Sequence, residues 1–166
     1  MKTKRSLIIG LAILLFSSAF SFAQGTNVVT LNVNTDSINE DNVLDECFFT
    51  WEAPDGNTII SGSGEELLDW LITIDLNSDI EWLGASTSED NKVVNIIQIK
   101  RKSGTPIFNN KPLKGDGNPN GEKVRGKPQK TTNDAEGGDY TYSIKFKVKG
   151  IRGTFDIDPK IKVVKE

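Results

Sequence analysis

The sequence predicts an all-β protein built as a single β-sandwich of immunoglobulin-like or related type. Three observations indicate this fold class. Apolar and polar residues alternate with a period of two in several short segments, and turn-forming residues separate these segments at similar intervals. No apolar pattern of helical period continues for more than about two turns. Short strands that each bury one face are typical of two stacked sheets.

The first strand is predicted at residues 27–33, NVVTLNV, and an acidic polar stretch follows it. The second strand, ECFFTWE at 46–52, leads through the PDG turn at 54–56 into NTIIS, which favours a hairpin. The S-x-x-E pattern at 63–66 is typical of a capping box. It predicts a short helical turn that ends near Trp70.

Further strands are predicted in the second half of the domain. Their segments are WLITIDL at 70–76, DIEWLGAS at 79–86, VVNIIQIKRK at 93–102 and YTYSIKFKVK at 140–149. In the last of these, aromatic and aliphatic residues occupy one face and three lysines the other, which indicates a half-buried antiparallel strand. The chain closes with TFDIDPKIKVV, where Pro159 marks a bend or an edge position.

The closing segment resembles the end of small bacterial β-sandwich proteins grouped as the DP-EP family. In that family an aromatic-rich strand and a turn precede a final strand that begins Asp-Pro-x-Ile. In this chain Asp158, Pro159, Lys160 and Ile161 form the same motif. The resemblance implies a β-sandwich and implies no activity, cofactor or site residue.

Residues 1–23 are predicted to be a signal peptide. They consist of a basic start, an apolar run at 7–16 and small residues before position 24. The apolar run falls short of the roughly 20 residues that span a bilayer, and no cysteine follows it for lipid attachment. We therefore expect a secreted or periplasmic domain, residues 24–166, with no membrane span after cleavage.

The content of histidine and cysteine excludes several chemistries. The chain has no histidine, which removes Ser-His-Asp and Cys-His nucleophiles and histidine-ligated metal sites. The single cysteine, Cys47, lies in the apolar run CFFTW. We expect a buried thiol that packs as a small hydrophobe, and an intermolecular disulfide is the alternative.

Charge is distributed unevenly along the chain. Residues 24–100 carry 15 acidic and 2 basic residues, whereas residues 101–166 carry 8 acidic and 15 basic residues. The lysines of 140–149 alternate with apolar residues, so we expect a solvated sheet face opposite acidic strands. Binding of a polyanion by this face is the alternative. No nucleic-acid partner is expected, because the formal net charge of the chain is −3.

The segment 103–139 departs from the strand pattern. It is rich in glycine, proline and lysine, which predicts one long loop inserted in the sandwich. Loops of this length are usually binding elements or disordered, so a mobile solvated insertion with one extra hairpin is the alternative. The basic residues of this loop are the candidate ligand contacts. They are Lys111, Lys114, Lys123, Arg125, Lys127 and Lys130.

Two local motifs are consistent with known sites but incomplete. Residues 116–121, DGNPNG, match the start of an EF-hand calcium loop, but its twelfth position is Lys127 where a carboxylate is needed. The glycine pairs at 62–64 and 115–117 lack the third glycine of a nucleotide-binding fingerprint. We therefore expect no metal and no cofactor.

The three tryptophans allow two interpretations. Trp51, Trp70 and Trp82 could stack on a ligand, but tryptophans on strands more often pack in a core or at an edge. Sequence position does not separate these alternatives.

The function predicted from these observations is a non-enzymatic binding or interaction module of unknown ligand. Its partner would be an envelope polysaccharide or another extracellular protein. The alternative is a small hydrolase that cleaves envelope or extracellular polysaccharide with a pair of carboxylates. No spacing distinguishes one pair from the others, so the sequence identifies no catalytic residue.

Overall fold

A computed structural model describes residues 25–109 and 111–165. The predicted signal peptide at 1–23 lies outside these residues. The described part is nearly all β, with eleven strands, one helix of four residues and one short 3-10 turn. The all-β prediction is therefore confirmed.

Most of the strands are short, and turns or loops connect them. The strands are β1 (Thr26–Val33), β2 (Cys47–Glu52), β3 (Thr58–Ile60), β4 (Leu71–Asp75), β5 (Asp79–Ser86), β6 (Val94–Ser103), β7 (Leu113–Lys114), β8 (Val124–Gly126), β9 (Tyr140–Val148), β10 (Phe155–Ile157) and β11 (Lys160–Val164). The helix α1 (Glu66–Asp69) lies between β3 and β4, and the 3-10 turn (Asp134–Glu136) precedes β9.

The strands form two sheets of mixed direction. Sheet A has the order β3-β2-β1-β5-β8, and sheet B has the order β4-β11-β9-β6-β7 with β10 paired to β9. The predicted hairpin of β2 and β3 is present, and β9 pairs antiparallel with β6, β10 and β11. The pairs β1–β5 and β4–β11 are parallel. Alternation of apolar residues indicates which face is buried, but it carries no information on strand direction.

Buried side chains from both sheets form one hydrophobic core. Strand β1 shows the pattern clearly, because Val29, Leu31 and Val33 are buried and the residues between them are not. Burying one large apolar side chain contributes roughly 1.5 to 3 kcal/mol. The largest fully buried side chains are Trp82, Tyr142, Phe49, Phe146, Leu31, Leu67, Ile72, Ile80, Ile96, Ile99, Ile107 and Ile144.

A bulge interrupts the alternation in β6. The pairing with β9 shifts by one residue between Ile96 and Gln98, so that Ile96 and Ile99 are both buried. The carbonyl of Ile97 accepts a hydrogen bond from the amide of Gly115 at 2.8 Å. The bulge keeps Ile99 in the core and leaves Lys100 exposed.

The segment 103–139 is more structured than the predicted loop. It contains β7, β8 and the 3-10 turn, and its residues Ile107, Phe108 and Val124 are buried. Near β8, the carbonyl of Glu122 accepts from the amide of Ile96 at 2.9 Å. Low apolar content predicted a loop, but a few buried side chains are enough to hold this segment against both sheets.

The helical turn is present, but the predicted capping box is not. Helix α1 begins one residue later than Glu65, which occupies the N-cap position and makes no side-chain cap hydrogen bond. Instead the amide of Leu67 donates to the carbonyl of Gly64 at 3.1 Å. Gly64 has φ of +67°, a conformation that places it outside the geometry of a capping box.

Candidate functional site

Two of the predicted contact residues share one glutamate as their acidic partner. On sheet A, β8 pairs with β5 so that Arg125 lies directly opposite Glu81. The Nε of Arg125 donates to Oε2 of Glu81 at 2.6 Å, and the Nζ of Lys123 donates to Oε1 at 3.1 Å. Both cations are therefore engaged within the sheet, as expected for cross-strand pairing of the acidic and basic halves.

Two further predicted contact residues also have acidic partners. Lys127 lies 3.3 Å from a carboxylate oxygen of Asp79, and Lys130 lies 2.5 Å from one of Glu136. Lys111 and Lys114 remain exposed and have no acidic partner in the part of the chain that the structure describes. The predicted contact set is thus divided into four paired and two unpaired cations.

The unpaired Lys111 lies at a cavity of about 430 Å³ at one end of sheet B. We refer to this cavity as the basic pocket. Its lining is Lys100, Arg101, Pro106, Phe108, Asn109, Lys111, Pro112 and Tyr140. The lining includes three cations and, among residues 25–109 and 111–165, no acidic residue. Lys100 and Arg101 were not among the predicted contacts, although the run of three cations at 100–102, followed by Ser-Gly, could have indicated them.

One wall of the basic pocket is the segment that begins at Pro106. Gly104 and Thr105, which precede it, hold this wall in place. Gly104 has φ of +80°, and a Cβ at this position would collide with the carbonyl of Asp139. The hydroxyl of Thr105 donates to the carbonyl of Gly138 at 2.8 Å and accepts from the amide of Asn133 at 3.1 Å. Because Thr105 is fully buried, these bonds fix the start of the wall to the turn before β9.

Arg101 contributes to the same wall. It lies on the side of β6 that carries Ile99, opposite Tyr142 on β9. Its Nε donates to the carbonyl of Gly104 at 3.0 Å, and an Nη donates to the same oxygen. A guanidinium has five N–H donors, so further donors remain for a ligand.

The floor of the basic pocket is a set of packed aromatic rings. The ring of Tyr140 lies 5.3 Å from that of Phe108 and 5.7 Å from that of Tyr142. Below them, the indole Nε1 of Trp82 donates to the hydroxyl of Tyr142 at 3.2 Å. Such contacts fix the orientation of the rings. The floor is therefore formed before any ligand binds.

Tyr140 is a hydrogen-bond donor at neutral pH. Burial raises the pKa of its phenol to about 12, and the positive charge of Arg101 acts in the opposite direction. The phenol therefore keeps its proton. The basic pocket combines three cations with the neutral donors of Tyr140 and Asn109, an arrangement suited to carboxylate, sulfate or phosphate groups.

A second cavity of about 400 Å³ brings two carboxylates together on sheet B. Asp156 accepts from the hydroxyl of Ser143 at 2.5 Å and lies 3.6 Å from the Nζ of Lys145. Asp158 lies 3.4 Å from the Nζ of Lys102, and its Oδ1 is buried without a hydrogen-bond partner among the described residues. This cavity is mixed in charge, unlike the basic pocket.

The tryptophans do not form one platform. Trp82 is buried in the core, and the indole of Trp51 donates to Oδ1 of Asn27 at 3.1 Å. Trp70 stacks on Phe49 with ring centroids 4.8 Å apart and planes 11° apart. Each indole therefore takes part in its own packing contact, which favours the packing interpretation.

Residues 116–121 use their oxygens to turn the chain. Oδ1 of Asp116 accepts from the amide of Asn118 at 3.1 Å, and Oδ1 of Asn118 accepts from the amide of Asn120 at 3.0 Å. No group of three or more acidic, cysteine or histidine side chains that could hold a metal occurs in the described ranges.

Cys47 is buried, as predicted. It is 1% exposed, and burial raises the pKa of its thiol to about 12, with a smaller contribution from Glu46. A thiol that is both covered and protonated reacts slowly, which disfavours an intermolecular disulfide.

Among the described residues, no helix has the length and apolar content needed to cross a membrane.

Comparison with known proteins shows a similarity of fold. No family model matches the sequence, and no curated relative matches it. The chain is similar to the crystal structure of the inclusion body protein PixA from Burkholderia cenocepacia J2315, with a TM-score of 0.55 and 11% sequence identity. The match covers 89% of this chain and 98% of that chain. A likeness at this identity concerns the fold alone.

Proposed function

We propose that this protein is an exported, non-enzymatic binding module that holds an anionic group in the basic pocket. One observation carries this proposal: Lys100, Arg101 and Lys111 line one cavity that has no acidic residue among its described lining, whereas four of the six predicted contact residues are ion-paired. The class of ligand we propose is an acidic envelope or extracellular polysaccharide.

The size and lining of the basic pocket agree with one or two sugar units. Its volume of about 430 Å³ falls within the range typical of small-ligand sites. Pro106, Pro112 and the edge of Phe108 offer apolar contacts to the C–H faces of a sugar, and the cations bind its carboxylate or sulfate. The proposal therefore retains Lys111 from the predicted contacts and adds Lys100 and Arg101.

Titration calorimetry against three polysaccharides tests this function. Polygalacturonate supplies carboxylates, dextran sulfate supplies sulfates, and neutral dextran supplies neither. We expect binding to one or both acidic polymers, with an affinity that falls as salt rises. The Lys100→Gln, Lys111→Gln double variant should lose about tenfold in affinity.

The matched control is the Lys127→Gln, Lys130→Gln double variant, which changes the net charge equally but removes cations that are already paired. It should bind within about twofold of the wild-type protein. Equal losses in both double variants would show a response to net charge and would overturn the basic pocket as the site. Equal binding of neutral dextran would overturn the anionic ligand.

Three further proposals concern fold detail and export. The sharing of one core by buried residues of both sheets supports a sandwich of immunoglobulin-like type, which a crystal structure tests by a sheet separation of about 10 Å. Membership of the DP-EP family stays a proposal from the Asp158 to Ile161 motif. Cleavage after Ala23 is tested by N-terminal sequencing of the exported protein.

The carboxylate hydrolase remains a second candidate because Asp156 and Asp158 line one cavity with Ser143. Release of reducing ends from polygalacturonate or dextran by the wild-type protein, lost in Asp158→Asn, would support it. No release after prolonged incubation with either polymer would dismiss it.

A further inference from the structure

Two strand edges lie side by side at the end of the molecule away from β7 and β8. Strand β3 is the last strand of sheet A, and β4 is the last strand of sheet B. Residues of β3, α1 and the start of β4 line one groove of about 620 Å³. We call this the edge groove. It contains Ile59, Ile60, Ser61, Gly62, Glu65, Glu66, Asp69, Trp70 and Leu71.

The backbone of β3 has unused hydrogen-bonding groups along the edge groove. The amide of Ala53 donates to the carbonyl of Asn57, and the amide of Ser61 donates to the carbonyl of Phe49. Because bonded pairs alternate in an antiparallel ladder, Ile59 directs its N–H and C=O toward β2. The N–H and C=O groups of Thr58 and Ile60 therefore point away from the sheet.

The backbone of β4 is open in the same way. The amide of Lys160 donates to the carbonyl of Trp70, and the amide of Leu76 donates to the carbonyl of Val164. In this parallel pair the N–H and C=O groups of the even-numbered residues of β4 bond to β11. The N–H and C=O groups of Leu71 and Thr73 therefore face outward. Both sheets thus end in strands with free donors and acceptors.

Large apolar side chains are exposed beside these free groups. Ile59 is 49% exposed, Ile60 is 64% exposed and Leu71 is 42% exposed, and they are the large exposed hydrophobic residues of the described ranges. Natural edge strands are usually protected by lysine, proline or a bulge. The sequences TII of β3 and LITID of β4 contain no lysine, arginine or proline.

The opposite end of the two sheets is closed, which separates it from the edge groove. There the amide of Asp116 donates to the carbonyl of Lys123 at 3.0 Å, and the amide of Gly115 donates to the carbonyl of Ile97. The first bond connects the residues after β7 of sheet B to the residue before β8 of sheet A, and the second extends the pairing of β7 with β6 within sheet B. The two ends of the fold therefore differ in their capacity to accept another strand.

The charges around the edge groove indicate the chemistry of its partner. Glu65, Glu66 and Asp69 lie along it, and no basic residue is in its lining among the described residues. The hydrogen bond and positive charge of Lys160 lower the pKa of Asp69, but that carboxylate is already ion-paired with Lys160 at 2.7 Å. Glu65 and Glu66 have no ion pair among the described residues, so they supply the negative charge that a partner meets. A cationic segment is favoured at this groove and an acidic one is repelled.

We propose that the edge groove binds an extended segment of another extracellular protein, in which apolar side chains alternate with lysine or arginine. The segment adds to β3 as a further strand of sheet A. Its backbone bonds to Thr58 and Ile60, its apolar side chains pack on Ile59 and Leu71, and its cations face Glu65 and Glu66. Trp70, fixed by its stacking on Phe49, forms an apolar contact in the groove.

A pair of synthetic peptides tests this inference. The probe is YTYSIKFKVK, which has the required alternation, and the control is YTYSIEFEVE, which has the opposite charge. We expect the wild-type protein to bind the lysine peptide at least about tenfold more tightly in fluorescence anisotropy. Equal affinity for the two peptides would overturn the assigned chemistry.

One substitution in β3 tests the strand addition itself. Ile60→Pro removes an outward N–H and leaves the ladder with β2 intact, so affinity should fall about tenfold while circular dichroism stays unchanged. Thr87→Pro would not serve as a control, because the amide of Thr87 donates to the carbonyl of Val33. The control is Lys111→Gln, which alters the basic pocket and should leave peptide affinity unchanged.

Two outcomes would refute the inference. Unchanged peptide affinity in Ile60→Pro would show that β3 is not the acceptor. A wild-type dimer in light scattering that Ile60→Pro dissociates would identify a second copy of this chain as the occupant instead. Because the edge groove and the basic pocket share no residue, failure of one proposal leaves the other standing.

Discussion

Glu81 on β5 and Arg125 on β8 lie directly opposite each other in sheet A and form an ion pair of 2.6 Å. The carboxylate is 15% exposed, while the arginine side chain is 65% exposed. The second carboxylate oxygen bonds Lys123. One residue from the acidic half of the sequence thus pairs with two residues from the basic half, and the cluster keeps one net positive charge.

Replacing Glu81 by glutamine should weaken the fold and release two cations. We expect the free energy of unfolding to fall by about 1 kcal/mol, because the pairs are only partly shielded from solvent. Affinity for dextran sulfate should rise, since Lys123 and Arg125 lose their partner. Urea denaturation and calorimetry measure the two effects. Glu89→Gln is the control, because Glu89 is exposed and has no ion pair in the described part of the chain. A smaller effect of Glu81→Gln than of this control would contradict the prediction.

Replacing Thr105 by valine should loosen the wall of the basic pocket. The change keeps the side-chain shape but removes the hydroxyl that bonds Asn133 and Gly138. We expect a loss of about 1 to 3 kcal/mol in unfolding free energy, because a buried amide is left without its acceptor. Affinity for the acidic polymer should fall as well. Thr87→Val, at an exposed position, serves as the control in urea denaturation. Unchanged stability would show that the hydroxyl is dispensable.

Replacing Gly104 by alanine should be more damaging than the same change at Gly117. Both glycines have positive φ, +80° and +77°, so both variants carry similar backbone strain, on the order of 1 kcal/mol. At Gly104 the new Cβ collides with the carbonyl of Asp139, whereas a new Cβ at Gly117 has no atom within 4 Å. The difference between the two melting temperatures isolates this collision. Equal melting temperatures would argue against close approach of the chains.

Stability should decline at alkaline pH because of Cys47. Its thiol has a pKa of about 12 in the folded protein and an ordinary value of 9.0, so above pH 9 the unfolded chain binds fewer protons than the folded one. Unfolding free energy therefore falls as pH rises from about 9 towards 12, by at most about 1.4 kcal/mol per pH unit. Burial also raises the pKa of Tyr140 and Tyr142, which adds to the same trend above pH 10.

Urea denaturation at pH 8 and pH 10 measures this decline, with Cys47→Ala as the comparison. The variant should lose less stability between the two pH values than the wild-type protein, although its stability at pH 8 is lower. An identical decline in both proteins would exclude the thiol as its source. Slow reaction of native Cys47 with a thiol reagent at pH 8, and fast reaction in urea, is the second expected result.

Much of the fold follows from local patterns. The alternation in YTYSIKFKVK identified which of its side chains enter the core, because successive residues of a strand face opposite sides. The Pro-Asp-Gly turn identified the hairpin of β2 and β3. The bulge in β6 and the absent capping box at Ser63 could not be read from local sequence, since both depend on packing against other strands.

The candidate site was only partly accessible to sequence analysis. Lys111 was predicted as a contact, and the structure places it in the basic pocket. Arg125 and Lys127 were predicted as contacts too, but their acidic partners on β5 come from distant sequence. Lys100 and Arg101 were missed because they were assigned only to a strand. An exposed cation and a paired one look the same in a linear sequence.

The sequence by itself determined an all-β chain, the inner face of β9 and a buried Cys47. The tertiary structure alone decided the parallel pairs β1–β5 and β4–β11, the closure of one end of the sheets and the openness of the other. The physical reason is the separation along the sequence between the residues that interact. Burial of a strand face depends on residues two apart, whereas strand order and charge pairing depend on registers between segments that are far apart in the chain.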